Sequence, residues 1–144
     1  MTDARAVIEE LIRVTLANSA DELASVFAPD VVIDLPFAPP GMPTRHIGLA
    51  GLQTRWAAVQ ETRRFTAVDE LTIHETPDPE LVITEFRIHG VHTPTGNEFT
   101  QRFLMVTTVR DGRIVASRDY SDHVAAAKAY GRLPELARSL AAAG

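Results

Sequence analysis

The chain contains no cysteine. Disulfides, thiolate nucleophiles and cysteine-built zinc sites are therefore excluded. It also lacks a basic excess, with 14 Lys and Arg against 19 Asp and Glu and a formal charge of −5. Nucleic acids and anionic membrane surfaces favour a basic face, so neither is an expected partner. No apolar run approaches the roughly 18 residues of a membrane span. The start, Met1-Thr2-Asp3-Ala4-Arg5, lacks the basic lead and continuous apolar stretch of a secretion signal. A soluble cytoplasmic protein is expected. There is no Gly-rich phosphate loop, which leaves nucleotide cofactors without support, and no cofactor is expected. Internal repeats and low-complexity linkers are absent too, so residues 1–144 read as a single domain.

What is present has ordinary globular proportions, 45% apolar and 23% charged. Ile8, Leu11, Ile12 and Leu16 recur at helical spacing, opposite Glu9, Glu10 and Arg13. Ser19-Ala20-Asp21-Glu22 reads as a capping box for a second helix with Leu23, Val26 and Phe27 as its buried stripe. Pro29-Asp30 is expected to end that helix, and Val31 to Leu35 to form a short strand. From Pro36 to Pro43 four prolines fall within eight residues, a stiff irregular loop. A third helix follows Gly48, carrying Leu49, Leu52, Trp56 and Val59.

The second half is strand-like. Phe65–Glu75, Leu81–His92, Phe99–Val109 and Ile114–Ser121 are separated by turn signals, of which Asp111-Gly112 is the strongest. A short helix is expected from about Asp122, and the Ala-rich end from Leu140 to fray. Helices followed by a meander of long antiparallel strands predict an α+β fold with one curved sheet. On the Leu81 strand, Phe86 and Ile88 share one face while Glu85, Arg87 and His89 share the other. The first face is expected to be buried and the second polar.

Several stretches carry a resemblance. Phe27-Ala28-Pro29-Asp30-Val31-Val32-Ile33-Asp34-Leu35-Pro36-Phe37-Ala38-Pro39-Pro40-Gly41 resembles the first strand and proline loop of SnoaL-like members of the NTF2-like superfamily. Asp111-Gly112-Arg113-Ile114 and Arg118-Asp119-Tyr120-Ser121-Asp122 resemble that group's last hairpin and strand. Glu75-Thr76-Pro77-Asp78-Pro79-Glu80 is similar to the phenazine-biosynthesis A/B proteins. The resemblance implies an NTF2-like cone (a cystatin-like α+β roll), its curved antiparallel sheet wrapped around N-terminal helices, with an internal pocket for a small apolar organic molecule. The fold hosts isomerases, cyclases, epoxide hydrolases and non-catalytic adaptors.

Site residues carry over position by position. Limonene-epoxide hydrolases have an Arg-x-Asp pair where this chain has Phe86 and Ile88, and an Asp in the last strand, matched by Asp119. Ketosteroid isomerases place a base beside the first-strand proline, where Leu35 precedes Pro36 and Asp34 lies one step away. In the phenazine A/B proteins the acting acid again falls at Asp119. The resemblance thus implies Asp119, with Asp34 as a second carboxyl if it points inward. Gln101 and Phe103 are placed toward the cavity, Trp56, Phe86 and Ile88 along its apolar walls, and Phe37 over the mouth.

Each residue has a plainer reading: Asp119 paired with Arg118 or Arg45, Asp34 anchoring a loop, Trp56 in the core, Gln101 a satisfied interior amide. His89 and His92 fall on opposite faces of a strand, so no metal site is expected. Two function classes stay open. One is a cofactor-independent isomerase, cyclase or hydrolase using Asp119. The other is a ligand-binding or interaction module, dimeric through the Arg102, Leu104, Val106 and Thr108 row.

Overall fold

A computed structural model describes residues 3–143. Met1, Thr2 and Gly144 lie outside them. Helix α1 (Ala4–Ala17) buries Ile8, Leu11 and Val14, and Asp3 caps its start by accepting from the Ala6 amide at 3.2 Å. It stops at Asn18, whose left-handed backbone (φ 54°) turns the chain. The Asn18 side chain then bonds the Phe65 amide (2.8 Å) and carbonyl (2.9 Å), tying the helix end to the sheet.

The expected capping box does not form. Ser19 makes no side-chain cap, and Ala20–Ser25 is a 3-10 helix. Glu22 accepts from Arg13 instead, at 3.1 Å. Strand β1 (Phe27–Asp34) begins four residues before the expected Val31. Pro29-Asp30 sits in an irregularity of β1, between Phe27 and Val32, rather than closing a helix. The proline loop leads into a three-residue strand, β2 (Arg45–Ile47), and then into α2 (Leu49–Gln60) as anticipated.

Strands β3 (Arg63–Glu75), β4 (Leu81–His92), β5 (Asn97–Arg110) and β6 (Arg113–Ser121) follow the expected meander. Asp111 and Gly112 both take positive φ, 53° and 76°, as a tight hairpin demands. Helix α3 (His123–Ala129) starts at Asp122, which accepts from the Ala125 amide at 2.9 Å. The Ala-rich end is helical through Ala143 as α4 (Leu133–Ala143), with no buried residue.

The sheet order is β2-β1-β6-β5-β4-β3. It is not antiparallel throughout, because β1 pairs with β6 in parallel. First and last strands need no hairpin between them, and the whole meander serves as their crossover. The burial alternation on β4 is as expected, with Val82, Thr84, Phe86 and Ile88 buried while Glu85 is exposed. This face and the odd-numbered residues of β5 pack against α1, so the sheet has one inner and one outer side.

Candidate active site

Strand β6 alternates Ser117 and Asp119 inward with Arg118 outward. Asp119 lies opposite Met105, and Ser117 opposite Thr107. The Ser117 hydroxyl donates to Asp119 Oδ1 at 2.6 Å. With that proton committed, Ser117 Oγ accepts from Thr107 Oγ1 at 3.1 Å. Thr107 is fully buried and Ser117 nearly so, which makes a short hydroxyl chain ending on one carboxylate oxygen.

Asp119 as a residue is half-buried, while its carboxyl is packed round by protein. Burial pushes its pKa up to about 6, with the Ser117 hydrogen bond pulling the other way. No charged neighbour contributes. Arg45 is occupied by Asp34 at 2.7 Å, and Arg118 faces the opposite side of the strand. The ion-pair reading of Asp119 therefore has no partner to work with among the described residues. Across Met105, the buried Thr84 hydroxyl has no protein partner.

Asp34 does not join this group. Ile33 turns inward and is buried, so Asp34, one step on, turns outward. Arg45 grips both its oxygens, Nε at 2.7 Å and Nη2 at 3.2 Å, and lowers its pKa. The inward second carboxyl is thus corrected to a strand-edge ion pair.

Phe86 and Phe103 stack at 5.2 Å with nearly parallel rings, one row from Asp119. Ile88 is buried beside Gln101 on the next row. Gln101 spends its Nε2 on the Asp122 carbonyl at 3.3 Å, tying β5 to the start of α3. Trp56 is half-buried against the core. Phe37 is 69% exposed and meets Tyr120 edge-on at 5.1 Å. A groove of 440 Å³ takes in Phe37, Phe86 and Phe103, and a second of 450 Å³ lies by His89 and Phe99. Asp119 lines neither, though the first takes in Tyr120, its neighbour in β6, and Phe86 and Phe103 one row away.

His89 bonds Asp69 (3.0 Å) and Thr100 (2.9 Å), and His92 bonds Thr95 (2.9 Å). Among the described residues no group of acids and histidines has the makings of a metal site.

The family pattern described as a SnoaL-like domain matches residues 8–117. The chain belongs to that SnoaL-like family. The match closes at Ser117, two residues before Asp119. An uncharacterised PhzA/B-like protein, PA3332 of Pseudomonas aeruginosa, is 32% identical over 141 residues, covering 94% of this SnoaL-like chain and 96% of the relative. A provisionally assigned isomerase from Bacillus subtilis superposes with a TM-score of 0.84 at 25% identity, over 90% of this chain and 94% of that one. IdmH of Streptomyces antibioticus, a provisionally assigned polyketide cyclase, gives 0.69 at 26% identity, over 89% and 98%. No helix among the described residues is long and apolar enough to cross a membrane.

Proposed function

We propose that this SnoaL-like chain is a small-molecule isomerase or cyclase in which Asp119 carries a proton to and from an enolisable carbon beside a carbonyl. The observation that carries the reading is the enclosed Asp119 carboxyl, pushed up to about 6 with no cation beside it. Near neutral pH such a group is mostly ionised yet easily protonated, as a group that must act as base and then as acid requires. Ser117 holds Oδ1, which leaves Oδ2 to meet substrate. The stacked Phe86 and Phe103 supply apolar wall nearby. A provisionally assigned isomerase and a provisionally assigned polyketide cyclase among the similar structures favour chemistry of this kind. The reaction needs no cofactor, and the protein acts in the cytoplasm as a homodimer through the outer row Arg102, Leu104, Val106 and Thr108.

Exchange of α-hydrogens for deuterium, followed by proton NMR over a panel of ketones and β-keto esters, tests the reading. Asp119→Asn is expected to slow exchange by roughly 10²-fold or more, and the wild-type rate to fall as pH drops through about 6. Unchanged exchange in Asp119→Asn would defeat it. A second reading, ligand binding without chemistry, draws on Phe86 and Ile88, which are apolar and buried where the epoxide hydrolases carry charge. It is favoured if panel compounds bind the wild type tightly and none exchanges.

A further inference from the structure

The inward positions at the end of β6 are Ser117, Asp119 and Ser121, each opposite an inward residue of β5. Exposure rises along them, since Ser117 is buried while Asp119 and Ser121 are half-buried. The face therefore opens toward Ser121, away from the Thr107–Ser117 pair. Ser121 lies opposite Phe103, which lies opposite Phe86, and all three border the 440 Å³ groove.

Among the described residues the Ser121 hydroxyl meets a single protein group, His123 Nε2 at 3.3 Å. His123 is half-buried and opens α3. Burial lowers its pKa, against the nearby Asp122 charge, so the ring is neutral at neutral pH. With its proton on Nε2, a neutral ring donates to Ser121 Oγ and leaves the hydroxyl proton free for another acceptor. The junction carrying both residues is pinned at Asp122. The Asp122 amide donates to the Arg102 carbonyl at 3.1 Å, its carbonyl accepts from Gln101 Nε2 at 3.3 Å, and its side chain accepts from the Ala125 amide at 2.9 Å.

Taking a proton from the carbon beside a carbonyl puts charge on the carbonyl oxygen, and a base as weak as Asp119 needs that charge held. On this face Gln101 spends its Nε2 on Asp122, and Thr84 is fully buried. Ser121 is both inward and accessible. It stands two residues from Asp119 on the same face, about 7 Å along the strand. The α-carbon and the oxygen of a ketone are two bonds apart, and each lies about 3 Å from the group that serves it. Asp119 and Ser121 are spaced to bracket that unit.

We propose that Ser121 is a catalytic residue whose hydroxyl hydrogen-bonds the carbonyl oxygen of the substrate, with His123 as the positioning residue that aims it. This rests on the Asp119 reading and adds a donor for the oxygen. The C–H bond breaks toward Asp119 Oδ2, its electron pair forms the carbon–carbon double bond, and the carbonyl π pair moves onto oxygen. Ser121 holds that enolate by its hydrogen bond and transfers no proton, and Asp119 returns its proton to carbon.

The test uses para-nitrophenolate, whose charged oxygen on a flat ring copies an enolate, and follows its visible absorbance on titration with the full chain. Asp119→Asn supplies the background, because its neutral amide stands in for the protonated acid. Affinity in that background is expected to fall about tenfold or more on adding Ser121→Ala. Ser121→Thr should retain it, while Ser121→Val, which has the shape of threonine without the hydroxyl, should lose it. His123→Ala should cost less, and His123→Gln, which keeps an N–H donor, should recover the loss. Amide spectra report whether each variant is folded. If Ser121→Ala is not, the comparison of Ser121→Thr with Ser121→Val decides. Equal affinity with and without the Ser121 hydroxyl, or no binding in the Asp119→Asn background, overturns the proposal. An unchanged affinity in His123→Ala overturns the positioning role. With Asp119 intact, Ser121→Ala should slow deuterium exchange about 10²-fold. Exchange that survives Asp119→Asn brings down the Asp119 reading, whereas a failed nitrophenolate comparison brings down Ser121 alone.

Discussion

The two sides of the β3-β4-β5-β6 sheet treat the same residue type in opposite ways. On the outer side Asp69 accepts from Arg87 Nε at 2.7 Å and Nη2 at 2.8 Å, and it also meets His89. The Arg87 hydrogen bonds, then His89, hold its carboxyl well below the usual carboxylate range. Glu70 is matched by Arg102 at 2.7 Å on the same side. On the inner side Asp119 has no cation, a single hydroxyl donor and a pKa near 6. Asp69 and Glu70 are satisfied by neighbouring strands, while the enclosed Asp119 is left chemically poised. A raised pKa needs desolvation without a compensating charge, and only the inner face provides that.

The contrast breaks most visibly in stability. The folded-state pKa of Asp119, about 6, lies above its ordinary 3.8. Its contribution is therefore fully present below 3.8 and lost as pH rises through 6. Two units correspond to about 3 kcal/mol of destabilisation at pH 8. Asparagine carries no such titration. Urea unfolding is expected to show Asp119→Asn gaining about 3 kcal/mol on the wild type between pH 3 and pH 8. A gap that stays flat with pH would mean that the carboxyl is not desolvated by folding.

Much of this was legible beforehand, and the failures have physical causes. Periodicity and turn signals located α1, α2 and the four long strands, although of the stripe expected on α2 only Leu52 is buried and Val59 is exposed. Periodicity also sorted Phe86 and Ile88 from Glu85. Asp34 escaped because a one-residue step reverses a strand's facing, and nothing in the local sequence shows that β2 returns with Arg45 at its side. The Ser117–Thr107 pair was hidden by register. Counting back from the Asp111-Gly112 hairpin sets Thr107 against Ala116. The irregularity between Thr108 and Val109 slips the pairing by one and brings Ser117 there instead.

A smaller effect sharpens the comparison from the inner side alone. The Ser117 hydroxyl favours the ionised form of Asp119, so removing it should push the pKa further up. Ser117→Ala is expected to raise it by about one unit, read by carbon-detected NMR of the Asp119 carboxyl. Thr107→Val, which acts only through Ser117, should shift it less and in the same direction. The acid limb of any exchange profile should move with the NMR value. A pKa that falls in Ser117→Ala would show that the hydroxyl stabilises the protonated acid instead, and the assignment of Oδ2 as the reacting oxygen would fail with it.

The smallest effect belongs to the outer face and carries the opposite sign. Asp69 has its pKa depressed by Arg87 and His89, so its contribution is present above 3.8 and is lost as pH falls through the folded value. Asp69→Asn should therefore weaken the fold slightly at neutral pH and lose that handicap in acid, whereas Asp119→Asn gains as pH rises. Both partners of the Asp69–Arg87 pair are substantially solvent-accessible, so the effect should be modest and should shrink in 1 M salt, while the Asp119 effect should persist. The two side chains lie on opposite faces without a shared partner, so the double variant should show the sum of the two pH curves. If the Asp69→Asn deficit proved as large and as salt-resistant as the Asp119 effect, the outer ion pairs would be holding the sheet's shape, and the division of labour between its faces would have to be redrawn.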